Sequence, residues 1–493
     1  MLYCAALETD FSQTPAPAPA AQCPLQPSQP LWPRLVTGLA ALVLAGGILM
    51  LAGLVLSTPR LQRVADPDRA LSLIVNRTMD LDYAIAQTPL WEHLFYEATT
   101  GWADDQAQAI EWYEELAVES GKPLSQAYLA ILEGEAGRID LVEDKIAGWT
   151  QLPDPFPVYA RLLGAAYLHD DTLAPDEARA LRDELESTIP LGWFGDRLAL
   201  SLATRAGNQK WLTEVQGGLA ERSDRLLVRA RLLLGLDLGL ILLGVALLGW
   251  VLARAHSREE TWGVGEAMMP PPWPGSAGAT VLIRGGALWI GLLLSILSIG
   301  PPSFRLFAMP LTYLPLLLLA RRDLMEPAGL SLRAGVGWIP RRGRWGRCWR
   351  LVAIVSATGL LVEWLVTMIT QPMGLGSHWT EGFDEALVWG DGMELATSLV
   401  ETIVFAPVFE EIVFRGLFFA TLRRRFGFVA SALISASVFA VAHGYGLLGF
   451  ISVLWSGLLW AWVYERSGSI LPGILAHMVN NASVCLSIIL MLR

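Results

Sequence analysis

Residues 405 to 426 read FAPVFEEIVFRGLFFATLRRRF. Glu410, Glu411 and Arg415 lie inside an apolar run long enough to cross a bilayer, where each ionisable side chain costs about 2.5 to 3.5 kcal/mol on insertion scales. Three charges within six positions mark the run for something other than anchoring. On a helix, Glu411 and Arg415 stack on one face with the acid N-terminal to the base, so the two neutralise each other. Glu410 is rotated about 100° from Glu411 and has no partner on its own helix, so it must find one on another span. Pro407 removes a backbone donor three residues earlier and is expected to kink the helix where that carboxylate turns inward.

The rest of the chain says that the run is in a membrane. Of its 493 residues 53% are hydrophobic, and the mean hydropathy is +0.43. A helix needs about 20 apolar residues to cross roughly 30 Å of hydrocarbon, and several segments satisfy that. Spans are expected at 35–56, 232–253, 285–300, 306–319, 351–369, 395–422, 428–443, 447–464 and 470–491. The third and fourth are short enough to be one broken hairpin around Gly300, Pro301 and Pro302. The fold class is therefore all-α: a polytopic membrane bundle of about eight or nine helices. Ahead of the first span, residues 1–34 include APAPAAQCPLQPSQP, too poor in bulky apolar residues to build a core and read as disordered. Residues 35–56 start too late and run too long for a cleavable signal, and are read as a retained anchor.

Residues 60–225, between the first two spans, form the one large polar segment, and Asp and Glu outnumber Lys and Arg there by about two to one. Stretches such as DDQAQAIEWYEELAVES and PDEARALRDELEST place apolar residues at helical spacing with acids near their starts, which predicts helical hairpins with a modest core and no clean repeat. Nothing in this domain carries chemistry, but it offers a surface for a protein partner. Basic loops stay cytoplasmic, so 321–350, ending RRGRWGRCWR, and Arg423 to Arg425 are placed inside. The acidic loop 371–394 and the 60–225 domain are then extracytoplasmic, in a plasma membrane. That scheme leaves Arg222, Arg225, Arg229 and Arg231 on the outer edge of the second span, where the acidic domain is their natural partner. Three lysines in the whole chain, against abundant arginine, hint at a bacterial source. No nucleic-acid partner is expected. Cys4, Cys23, Cys348 and Cys485 are scattered, with no disulfide framework and no CxxC pair.

Partners for Glu410 are found on the last spans. FAVAHG ends the seventh and puts His443 four residues after Phe439, while AHMVNN in the ninth puts His477 and Asn481 four apart on one face. Gly444 and Gly473 stand beside them and are expected to let neighbouring helices come close. Measured from the cytoplasmic ends, Glu410, His443, His477 and Asn481 lie roughly 18, 24, 10 and 16 Å deep at 1.5 Å per residue. Asp237 and Glu363, each alone in its span, are read as interhelical hydrogen-bonding residues. His93, His169, His256 and His378 are read as ordinary surface or core residues.

EEIVFR, FAVAH and HMVNN fit EExxxR, FxxxH and HxxxN, in that order and on successive late spans. Over about residues 350–490 the sequence thereby resembles the CAAX prenyl endopeptidase and bacteriocin-processing (CPBP, or Abi) family of intramembrane proteases. The resemblance implies a catalytic membrane core at 350–493, joined to membrane helices and cytoplasmic loops at 232–345. It implies an endopeptidase acting on membrane-associated or lipidated protein substrates, in or just above the cytoplasmic half of the bilayer. Glu410 is then the general base that activates water, His443 helps to hold that water, and His477 and Asn481 donate to the oxyanion. Glu411, Arg415 and Phe439 support the site. A second mechanism uses Zn2+ on Glu410, His443 and His477 with one position open for water, although HExxH is absent.

Two other classes of function use the same residues. Intramembrane carboxylate and histidine chains also serve transporters and proton relays, but no repeat links the early and late spans as such folds require. A non-catalytic membrane scaffold, with the acidic domain recruiting a partner, is the third.

Overall fold

In the computed structural model of the protein the described residues are 31–100, 105–168, 171–255, 262–299, 305–370, 373 and 375–493, and among them every regular element is a helix. Six helices are long and apolar enough to cross a membrane: Trp32–Ser57, Gln209–Arg254, Gly275–Ile296, Trp345–Thr370, Leu447–Ser467 and Leu471–Leu492. Their outer faces show apolar side chains such as Leu39, Leu42, Leu242 and Leu365. The protein is a multi-pass membrane protein. The segments expected as spans at 306–319 and 428–443 are the helices Arg305–Ala320 and Phe428–Ala442, of 16 and 15 residues. The expected disordered tail falls outside the described residues up to residue 30, but residues 31–34 belong to the first helix, where Pro33 is tolerated in the first turn. The expected hairpin residues Gly300, Pro301 and Pro302 lie outside the described residues, as do Cys4, Cys23, His169 and His256.

The segment holding Glu410, expected as a span at 395–422, is helical from 392 to 422. Asp391 starts it with a capping box: its carboxylate accepts from Met393 and Glu394, and Glu394 accepts from the Asp391 amide at 3.2 Å. Pro407 lacks an amide hydrogen and its ring crowds the carbonyl four residues back. The helix widens to π-helical turns over Glu401–Phe405 and Glu411–Phe419 rather than breaking. Wide turns of this kind recur at functional sites because they leave backbone carbonyls free for other donors.

Among the described residues the polar domain has eight α-helices, from Pro67–Ile85 to Trp193–Arg205. Its core is more than modest: Tyr113, Tyr128 and Phe194 are buried together, the last two stacked at 4.0 Å between centroids. A further correction concerns its boundary, expected at 225 with a new span from 232. One helix of 47 residues, Gln209–Ala255, runs from the domain into the membrane without interruption, because nothing between 219 and 234 is Gly or Pro. Of the four arginines expected to meet the domain's acids, Arg222 and Arg231 do so. Arg222 pairs with Asp80 at 3.1 Å and with Asp196; burial pushes both carboxyls up, against the pull of the guanidinium. Arg231 holds Glu92 at 2.6 Å. Arg229 instead donates to the Leu490 carbonyl at 2.8 Å, and Arg225 pairs with Glu221 on its own helix.

The membrane part packs by close helix contact. Gly244 on the long helix faces Ala353 and Ala357 with no room for a Cβ, the small-residue contact that membrane helices use where hydrophobic burial gives no drive. Two faces result. One carries the arginine-rich segments: Arg423 pairs with Glu465 at 2.8 Å, Arg424 donates to the Pro271 carbonyl at 3.3 Å, and the Arg341 amide donates to Val264 at 2.9 Å. The other carries the helical domain, which meets 375–394 directly. The Ala65 amide donates to Glu385 at 2.5 Å, Arg69 lies 4.3 Å over Trp389, and His378 Nε2 is 3.0 Å from Glu115. His378 is thus a joint between domain and loop, contrary to its reading as an ordinary residue. Arg493 donates to the Leu387 and Gly390 carbonyls of the same loop.

Candidate active site

The Glu411–Arg415 pair is real and completely buried, with Nη1 2.8 Å from Oε1 and both residues at 0% exposure. Charges so placed survive only if their surroundings are built for them. The guanidinium lies 4.3 Å over the Phe439 ring and 5.0 Å over Trp460, where the ring faces attract a cation. Space for it is left by Gly457, and space for the Glu411 carboxylate by Gly473, whose missing Cβ would lie 3.3 Å from Oε2. The expectation for Gly473 is thereby met. Gly444 does a different job: it turns the chain with φ +66° directly after His443, in the left-handed region that glycine enters freely.

His477 bridges the two glutamates. Its Nδ1 is 3.3 Å from Glu411 Oε1 and its Nε2 is 3.8 Å from Glu410 Oε2. Trp460 stacks on the imidazole at 4.0 Å and 20°, which fixes the ring plane. The pair Glu411–Arg415 therefore orients Glu410 indirectly, through His477 as well as through the helix. His443 is held from behind: its Nδ1 is 2.8 Å from the Phe439 carbonyl. A carbonyl only accepts, so Nδ1 bears the hydrogen, and in the neutral ring Nε2 keeps its lone pair. Phe439 is the centre of this arrangement, in edge contact with His443 at 4.6 Å and His477 at 6.0 Å.

Asn481 is already partly engaged. Its amide donates to the Thr402 carbonyl at 2.8 Å, on the wide turn that precedes Pro407, so one of its two amide hydrogens is committed to the backbone. Neighbouring Asn480 also faces the site. Helical spacing from His477 selects one face of the last helix and passes over Asn480, although the NN dipeptide signals it.

Glu410, His443, His477 and Asn481 all line one cavity of about 740 Å³. Glu363, Glu401, Tyr313, Tyr445 and Trp460 share its wall. Asp237 keeps a long contact of 3.5 Å to Ser483, as an interhelical residue should. Glu363 does not fit that reading, because it faces the cavity instead. The cavity reaches Ser377, Glu381 and Gly382 at the face of the helical domain and includes none of 321–350 or 423–427. The cavity thus extends from Glu410, His443, His477 and Asn481 to the side of the helical domain. For zinc the donors are not grouped: among the described residues no three His, Cys, Asp or Glu stand close enough together to hold a metal ion. Cys348 and Cys485 are buried and unpaired.

Residues 393–483 match the family model for Rce1-like type II CAAX prenyl endopeptidases. This is the family that the three motifs resemble. A Bacillus subtilis (strain 168) protein named "Putative membrane peptidase YdiL" is 28% identical over 142 residues, which cover 26% of this chain and 57% of that protein. The chain thus spans a little over half of the relative's length. No solved structure matches.

Proposed function

We propose that the protein is an integral-membrane endopeptidase that uses Glu410 to activate water. One observation carries the reading: a glutamate within a membrane-length helix, 3.8 Å from the imidazole of His477, opens with His443 onto a cavity large enough for a peptide segment. The family match supports it. In the reaction a water oxygen bonds to the substrate's carbonyl carbon while Glu410 takes its proton, and His443 Nε2 accepts the water's other hydrogen bond. The oxyanion is met by the amide hydrogens that Asn480 and Asn481 have left. When the C–N bond breaks, Glu410 returns the proton to the leaving nitrogen. No step requires a metal.

The substrate is a membrane protein or a lipidated peptide, since the cavity lies among helices that face the bilayer. The positive-inside rule favours a plasma-membrane orientation with the arginine-rich face in the cytoplasm and residues 60–225 outside. Glu410→Gln keeps the shape and removes the base. Purified protein in liposomes should then lose cleavage of a membrane-anchored reporter by about 100-fold or more. Undiminished cleavage would reject the mechanism, and proton flux lost with the same substitution would favour a relay instead.

A further inference from the structure

The charge of the cavity narrows what it can take in. Four of the described residues in its wall are carboxylates, Glu363, Glu381, Glu401 and Glu410, and none is Lys or Arg. They are spread along its depth. Glu381 lies on the loop at the domain face and accepts from the Gly446 amide at 3.1 Å. Glu363 is seven residues before the end of Trp345–Thr370, about 10 Å below that face at 1.5 Å per residue. Glu410 lies deeper still. The side chain of Glu363 forms no hydrogen bond or ion pair among the described residues. Between these acids the wall is mixed, with the apolar side chains of Trp289, Leu293, Met309 and Val366 beside the hydroxyls of Thr312, Thr367, Ser452 and Ser456.

In a medium with little water or salt, a carboxylate attracts a cation and repels an anion far more strongly than at a protein surface. A chain end with a free carboxylate would meet these acids with no Lys or Arg among the described lining residues to receive it. Resting on the proteolytic reading above, we infer that the cavity takes an internal, apolar segment carrying Lys or Arg, with the cation drawn past Glu381 to Glu363, and that a peptide terminus bearing a free carboxylate is a poor substrate. Glu363 is then a specificity-determining residue.

The test uses three labelled apolar peptides: one with a central Lys, one with Glu in its place, and one Lys peptide ending so that its free C-terminal carboxylate must enter the cavity. Their binding to the Glu410→Gln protein in nanodiscs is measured beside their cleavage by the unaltered protein. The Lys peptide should bind at least about tenfold more tightly than either of the others. Glu363→Gln should cut that ratio several-fold, with Glu381→Gln as a second variant should the first not fold. Equal binding of the Lys and Glu peptides, or a ratio unchanged in both variants, overturns the inference. Cleavage without charge preference overturns it while leaving the endopeptidase intact. Charge-selective binding with no cleavage of any peptide supports the inference and sinks the endopeptidase.

Discussion

Arg415→Met should be among the most damaging single substitutions in the membrane part. With Nη1 and Oε1 2.8 Å apart, the charge centres are about 4 Å apart, worth about 4 kcal/mol at an effective dielectric of 20. The cation loses its contacts with Phe439 and Trp460 as well. The larger effect is on what is left behind: Glu411, fully buried, facing His477 without its base. Breaking a buried pair from one side costs about 3 to 5 kcal/mol, whereas replacing both partners by apolar residues is often nearly neutral. Equilibrium unfolding in mixed micelles of Arg415→Met, Glu411→Leu and the double variant gives the cycle. Each single change should cost about 3 kcal/mol or more, and the double variant should recover at least about 2 kcal/mol of their sum. The double variant should still be slow in cleavage, because His477 loses the carboxylate that aims it. Additivity within about 0.5 kcal/mol would refute the claim that the pair exists to neutralise itself.

Asn481→Ala removes the bond to the Thr402 carbonyl and should cost about 1 kcal/mol of stability, with Asn481→Asp worse because an anionic oxygen would face that carbonyl; both are read by unfolding beside cleavage rate per folded molecule. Gly473→Ala pushes a methyl against the Glu411 carboxylate and should destabilise by about 1 to 3 kcal/mol, measured in the same micelles. His378→Ala should raise amide exchange across 375–394 by about tenfold, the equivalent of one lost hydrogen bond, without changing the unfolding of the helical domain.

Much of the site was legible because its residues obey helical spacing. Glu411 and Arg415 at four apart, and His477 and Asn481 at four apart, place side chains on a face whatever the tertiary structure does. What spacing cannot say is which atoms are already committed. The amide of Asn481 is engaged by a carbonyl that only a π-turn exposes, and the turn arises from the way Pro407 is accommodated, which propensity does not resolve. Glu363 looked like a lone hydrogen-bonding residue because a single span gives no sign of a void beside it. The boundary at 225 failed for a related reason: composition changes there from acidic to apolar, but a helix ends at a capping or breaking residue, and none stands at that point. His378 was missed because its partner Glu115 is distant in sequence.

The uninterrupted helix from residue 209 to 255 has a mechanical consequence. A hinged domain can be tugged or tilted without effect below the membrane surface; one rooted by a stiff rod cannot. Any load on the acidic domain would arrive as a tilt of that rod at the Gly244 contact, and hence at the neighbouring helix that bears Glu363, so that a grip on that domain would be felt in the cavity wall.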